Sequence, residues 1–111
     1  MRNPRLRIED MLEAIQRIDK YAVRGRTVFA SDELIQIYVV HNLQILGEAA
    51  CKLTSEYRKQ YPDIPWNKVM GMRHILVHDY FQIDLGIVWM VIEKELPKLK
   101  AQLLAVLNDE M

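Results

Sequence analysis

The chain has 111 residues, half of them apolar, which predicts one domain burying roughly two-thirds of its unfolded surface. Its 15 basic side chains balance 15 acidic ones, which argues against non-specific coating of nucleic acid but leaves room for an enzyme that meets RNA through a local patch. Cys51 is the only cysteine, which excludes an intrachain disulfide and a cysteine-rich metal site and fits a reducing, cytoplasmic setting.

In chain order, the opening stretch MRNPRLRIED is charged and lacks the apolar core of a signal peptide. Asn3 followed by Pro4 forms a compact helix start, because Asn caps free amides and Pro suits the first helical position. Ile8, Met11, Leu12, Ile15 and Ile18 then recur at steps of three and four, predicting an amphipathic helix to about Tyr21 with Gly25 as terminator. The first 26 residues carry seven Arg or Lys against four acids. They read as a solvated helix face.

A second helix starts at Ser31 or Asp32. Ile35, Val39, Asn42, Leu46, Ala49, Leu53 and Tyr57 hold one seam for about six turns. Asn42 is the only polar member of that seam, with His41 beside it. Such a residue either contacts a functional segment or fixes the bundle register at some cost in stability. YPDIPW, residues 61–66, is a turn, and Pro65 opens a third helix expected over residues 66–78. Asp84 caps a fourth, in which Pro97 removes a backbone hydrogen bond and predicts a kink or a split. The longest apolar run, LGIVWMVI at residues 85–92, is far short of the ~20 residues a membrane span needs. With no β-like alternation, the chain is expected to be an all-α up-and-down bundle of four to five helices.

One segment departs from plain bundle material: GMRHILVHDYF, residues 71–81. His74 and His78 stand four apart, a metal-ligand spacing on a helix. A zinc hydrolase of the H-E-x-x-H type needs Glu where this chain has Ile75, and a third ligand would have to come from His41, Asp79 or Asp84. No metal is expected.

Arg73 and His78 lie about 140° apart on a regular helix. They converge if the helix ends or distorts near His78, or if a second copy of the chain supplies the other half across a two-fold axis. Two Arg and two His suit RNA cleavage by internal transfer, where the RNA's own 2′-hydroxyl is the nucleophile. Histidine can take or give a proton near neutral pH, and arginine holds phosphate oxygens. The spacing alone equally suits Arg73 and His78 as solvated cations at a helix C-terminus, with Tyr80 and Phe81 as packing residues.

These residues resemble the signature of the HepT-like toxins, a prokaryotic group of the HEPN superfamily. Their motif is R-x4-H-x-Y, filled here by Arg73, His78 and Tyr80. HNLQILGEAACKL (residues 41–53) and NPRLRIEDMLEAIQRI (residues 3–18) are similar to the family's first two helices, so the resemblance covers nearly the whole chain. His74 stands where the family more often has Asn.

The resemblance implies a homodimeric, metal-independent endoribonuclease without cofactor, with Arg73 and His78 lining a cleft between subunits. It also implies the toxin of a type VII-like pair. Its partner would be a minimal nucleotidyltransferase antitoxin that transfers AMP from ATP onto Tyr80 and silences the nuclease. A charged, bulky nucleotide two residues from His78 would compete with substrate phosphates for the Arg73 cleft. His74, Asn42 and Glu48 are candidate supporting residues, and Glu48 could pair with Arg73 or lie on a wet face. Two other readings compete: a non-catalytic helical nucleotide- or nucleic-acid-binding subunit of a nucleotidyltransferase, and a metal enzyme built on His74 and His78.

Overall fold

A computed structural model describes residues 3–74 and 84–109 of the chain. Every regular element among them is helical. The first, α1 (Pro4–Ala22), opens as expected: the Asn3 side chain accepts from the Arg5 amide at 2.9 Å, and Pro4 takes the first helical position. It closes at Gly25, whose N–H reaches the Ala22 carbonyl at 3.0 Å. Gly25 has φ 93°, a conformation that a side chain would strain.

The chain then makes a short helix that the apolar periodicity does not announce, α2 (Arg26–Ser31). Asp32 caps α3 (Glu33–Cys51), accepting from the Ile35 amide at 3.2 Å. Gln36 of α3 donates to the Phe29 carbonyl at 2.9 Å and ties α2 down.

The seam expected to run on to Tyr57 stops earlier. α3 ends at Cys51, and Tyr57 belongs to a separate helix, α4 (Ser55–Lys59). Two local groups cause the break. Thr54 caps α4 by accepting from the Tyr57 amide at 3.1 Å. Arg58 turns back to donate to the carbonyls of Ala50, in the last turn of α3, and Leu53, just past its end. Leu53 and Tyr57 still face the core, so the apolar spacing survives while the backbone turns.

Pro65 opens α5 (Trp66–Gly71), with the Trp66 indole donating to the Tyr61 carbonyl at 3.0 Å. This helix was expected to reach His78. It ends at Gly71, and residues 72–74 form a turn closed by three-residue hydrogen bonds from Met72, Arg73 and His74 back to Val69, Met70 and Gly71.

After Asp84, which accepts from the Ile87 amide at 3.1 Å, the chain runs as α6 (Leu85–Met90), a π-helical segment Val91–Glu95, and α7 (Leu96–Asp109). The helical run continues through Pro97 without a split. The proline ring would crowd the carbonyl four residues earlier, at Glu93, and that residue lies in the π turn, where the backbone is wider. The Leu96 N–H accordingly bonds the Val91 carbonyl, five residues back.

The core forms where α1 lies against α3 and α7. Ile8, Met11, Ile15 and Ile18 of α1 meet Leu43 and Leu46 of α3 and Leu96 and Leu103 of α7, all fully buried. Each such side chain contributes about 1.5–3 kcal/mol by leaving water. Lys100 pairs with Asp19 at 3.2 Å across α7 and α1, and Lys68 with Glu95 at 3.0 Å across α5 and the π segment. The basic opening is a solvated face, as its spacing suggests: Arg5 pairs with Glu9, Arg17 with Glu13, and Arg24 lies over the Tyr21 ring. Among the described residues no helix is long and apolar enough to cross a membrane.

Candidate active site

α5 packs on α3 through Val69 and, just past its end, Met72, which is 1% exposed. Burying Met72 leaves its neighbour Arg73 on the outside, on a turn rather than on a regular helix. The geometric objection to Arg73 meeting a residue five positions on, about 140° around a helix, therefore lapses at its first residue.

Two contacts hold the Arg73 side chain. Its Nη1 lies 3.6 Å from Glu48 Oε1 on α3, with the two side chains 39% and 52% exposed. Its Nε–H donates to His74 Nε2 at 3.1 Å. The imidazole nitrogen is the acceptor in that bond. The flat, two-pronged end of the guanidinium has no hydrogen bond among the described residues, Nη1 making only the 3.6 Å ion pair with Glu48. That end matches two phosphate oxygens at once.

The backbone of Arg73 is fixed by a residue the sequence does not single out. At Gly47 of α3 a Cβ would stand 2.7 Å from the Arg73 amide nitrogen, 3.1 Å from the Arg73 Cβ and 3.2 Å from the Met70 carbonyl oxygen. Only a residue without a side chain lets α3 and this turn touch. The available signal was a glycine in mid-helix, which costs roughly 1 kcal/mol relative to alanine and calls for a packing reason.

Of the expected supporting residues, Glu48 and His74 thus join Arg73 and Asn42 does not. Asn42 is 1% exposed and sits about 140° around α3 from Gly47. Its side-chain N–H donates to the Tyr38 carbonyl at 2.9 Å, and its Oδ1 has no partner among the described residues. His41 is exposed and, with Gln44, Glu48 and Lys52, lines a groove of about 480 Å³ between α3 and α1. Arg7 and Arg17 on its far wall are balanced by Asp10 and Glu13, so the groove offers phosphates no net attraction. His78, Tyr80, Asp79 and Phe81 lie outside the described residues. Among the described residues, no three His, Cys, Asp or Glu side chains are grouped to hold a metal ion, and His41, His74 and Asp84 form no such set.

Comparisons with known proteins show the family to which the chain belongs. Residues 11–106 match the family model described as Ribonuclease HepT-like, and the chain belongs to that family. It is 33% identical over 112 residues to "Putative RNase TTE0752" of Caldanaerobacter subterraneus subsp. tengcongensis, covering 99% of each chain. It is 31% identical over 99 residues to "Probable ribonuclease HepT" of Thermococcus cleftensis, covering 86% of this chain and 87% of the other. It is 35% identical over 103 residues to "Gamma-glutamylcyclotransferase and putative RNase MJ0434" of Methanocaldococcus jannaschii. That match covers 92% of this chain but 46% of the relative, so the chain spans a little under half of that protein. No solved structure gives a significant match.

Proposed function

We propose that this protein is a metal-independent endoribonuclease that cuts RNA by internal transfer. The placement of Arg73 carries the reading: in a chain of a ribonuclease family, the arginine of the motif stands exposed past a helix end, its guanidinium aimed by Glu48 and His74. In the reaction the RNA's 2′-oxygen forms a bond to the adjacent phosphorus as the bond from phosphorus to the 5′-oxygen breaks. One His78 removes the proton of the 2′-hydroxyl, and a second, protonated, gives a proton to the departing 5′-oxygen. Arg73 holds the phosphate oxygens on which charge builds. The products are a 2′,3′-cyclic phosphate and a free 5′-hydroxyl.

Two His and two Arg around one cleft call for a homodimer, which brings the same segment of both subunits to a two-fold axis. In the wider reading the protein is the toxin of a type VII-like toxin–antitoxin pair in the cytoplasm. A nucleotidyltransferase antitoxin silences it by placing AMP on Tyr80, whose phosphate charge competes for Arg73.

The test is incubation of the purified protein, shown by mass to be unmodified at Tyr80, with labelled RNA in excess chelator. Cleavage is expected. Intact RNA from unmodified protein would instead favour the non-catalytic nucleotide- or nucleic-acid-binding subunit. Cleavage that stops with chelator would favour a metal enzyme.

A further inference from the structure

We infer that Gly47 is the positioning residue for Arg73: by having no side chain it lets α3 fix where the motif arginine leaves the protein. The inference rests on the ribonuclease reading for its consequence in catalysis, but the seat itself stands on geometry. The three nearest atoms to a Gly47 Cβ all lie between Met70 and Arg73, where α5 gives way to the turn, and two of them are backbone atoms: the Arg73 amide nitrogen at 2.7 Å and the Met70 carbonyl oxygen at 3.2 Å. Neither can step aside as the tip of a flexible side chain would. The third is the Arg73 Cβ at 3.1 Å, the atom from which the guanidinium is aimed.

Among the described residues, the packing on both sides of the contact resists the strain. Val69 and Met72, on either side of the contact, are both 1% exposed and packed in the core, so the turn cannot tilt inward. α3 is no freer, because Leu43, Leu46 and Ala50, around Gly47, are fully buried. The turn must therefore move outward and carry the Arg73 Cβ with it. The next residue of α3, Glu48, meets the same arginine at its guanidinium, 3.6 Å away. Consecutive residues of one helix thus hold both ends of Arg73, Gly47 by contact and Glu48 by charge. Moving the turn outward breaks the register of the second contact as well as the first.

Displacement of a reacting group by about 1 Å can cost on the order of a hundredfold in rate. The full-length Gly47→Ala protein is therefore compared with wild type and with Leu103→Ala, which opens a cavity in the core of α7 away from the turn. All three are measured at a temperature where each is folded. Two quantities are read: the NMR resonance of the Arg73 Nε–H, which reports its bond to His74, and the rate of RNA cleavage per folded molecule. Gly47→Ala is expected to shift or broaden that resonance and to slow cleavage by about 10- to 100-fold. Leu103→Ala is expected to keep both, even where its melting temperature falls further. An unchanged Arg73 resonance in Gly47→Ala, with only a lower melting temperature, would overturn the inference. If wild type does not cleave, the ribonuclease reading fails by that result, while the Arg73 resonance still decides whether Gly47 seats the arginine.

Discussion

Glu48 Oε1 lies 3.6 Å from Arg73 Nη1, so an acid near the end of α3 faces the first residue of the R-x4-H-x-Y motif. Both side chains are substantially exposed, and a pair of this kind contributes at most about 1 kcal/mol to stability. Its value lies in aim. Glu48→Gln is expected to leave the melting temperature within about 5 °C of wild type. It should slow RNA cleavage by roughly fivefold, which corresponds to about 1 kcal/mol of lost positioning. Thermal unfolding and initial rates on one preparation check both numbers, and an unchanged rate would mean that Glu48 is only a neighbour.

Arg73 itself should tolerate neither loss of charge nor loss of shape. Arg73→Ala removes the group proposed to stabilise the phosphorane-like charge, and a loss of about 10²–10³-fold is expected, as for other donors of this kind. Arg73→Lys keeps the charge but not the two-pronged geometry, and its rate should fall between the two. The ordering wild type, Lys, Ala in single-turnover rates is the check. A lysine variant as slow as alanine would point to geometry alone, and one as fast as wild type to charge alone.

Asn42 is nearly sealed in the core, and its Oδ1 lacks a partner among the described residues. Its N–H bonds Tyr38 four residues back, the pattern in which a polar side chain competes with its own helix. Asn42→Leu removes this acceptor at similar volume. It is expected to change stability by anything from zero to a gain of about 2 kcal/mol in chemical denaturation. A clear loss would show that the Oδ1 makes a hydrogen bond worth keeping.

Thr54 decides where α3 stops, together with Arg58. Thr54→Ala deletes the cap on α4 and is expected to cost about 1 kcal/mol. The matching measurement is thermal unfolding, with a fall of about 4 °C or more for a domain of this size. Cleavage per folded molecule should not change, since the Thr54 hydroxyl serves the start of α4 and not the Arg73 turn.

Those caps also mark how far the fold is legible in the sequence. Asn3, Asp32 and Asp84 all cap helices that begin where local chemistry places them, because a cap needs only the two or three residues that follow it. Helix ends are harder. Leu53 and Tyr57 keep the three-four spacing of the α3 seam, yet the backbone turns between them. Spacing reports which side chains face inward, and it does not report whether the chain stays helical between them. α5 illustrates the same limit, since its run toward His78 ends at Gly71 where the turn meets α3. The Glu48–Arg73 pair was foreseeable as one of two options for Glu48. Gly47 was not, because its reason is a contact with a turn 26 residues further along the chain.

The most direct test of the central claim is the chemistry of the cut ends. Unmodified wild-type protein, Arg73→Ala and His78→Ala are each incubated with labelled RNA in excess chelator, and the 3′ ends of the fragments are identified. The wild type should give 2′,3′-cyclic phosphates, and each variant should form them at least about a hundredfold more slowly. Fragments ending in a free 3′-hydroxyl would contradict the internal-transfer mechanism, because water or another nucleophile would then have replaced the RNA's own 2′-hydroxyl. Undiminished cleavage by either variant would contradict the roles assigned to Arg73 and His78.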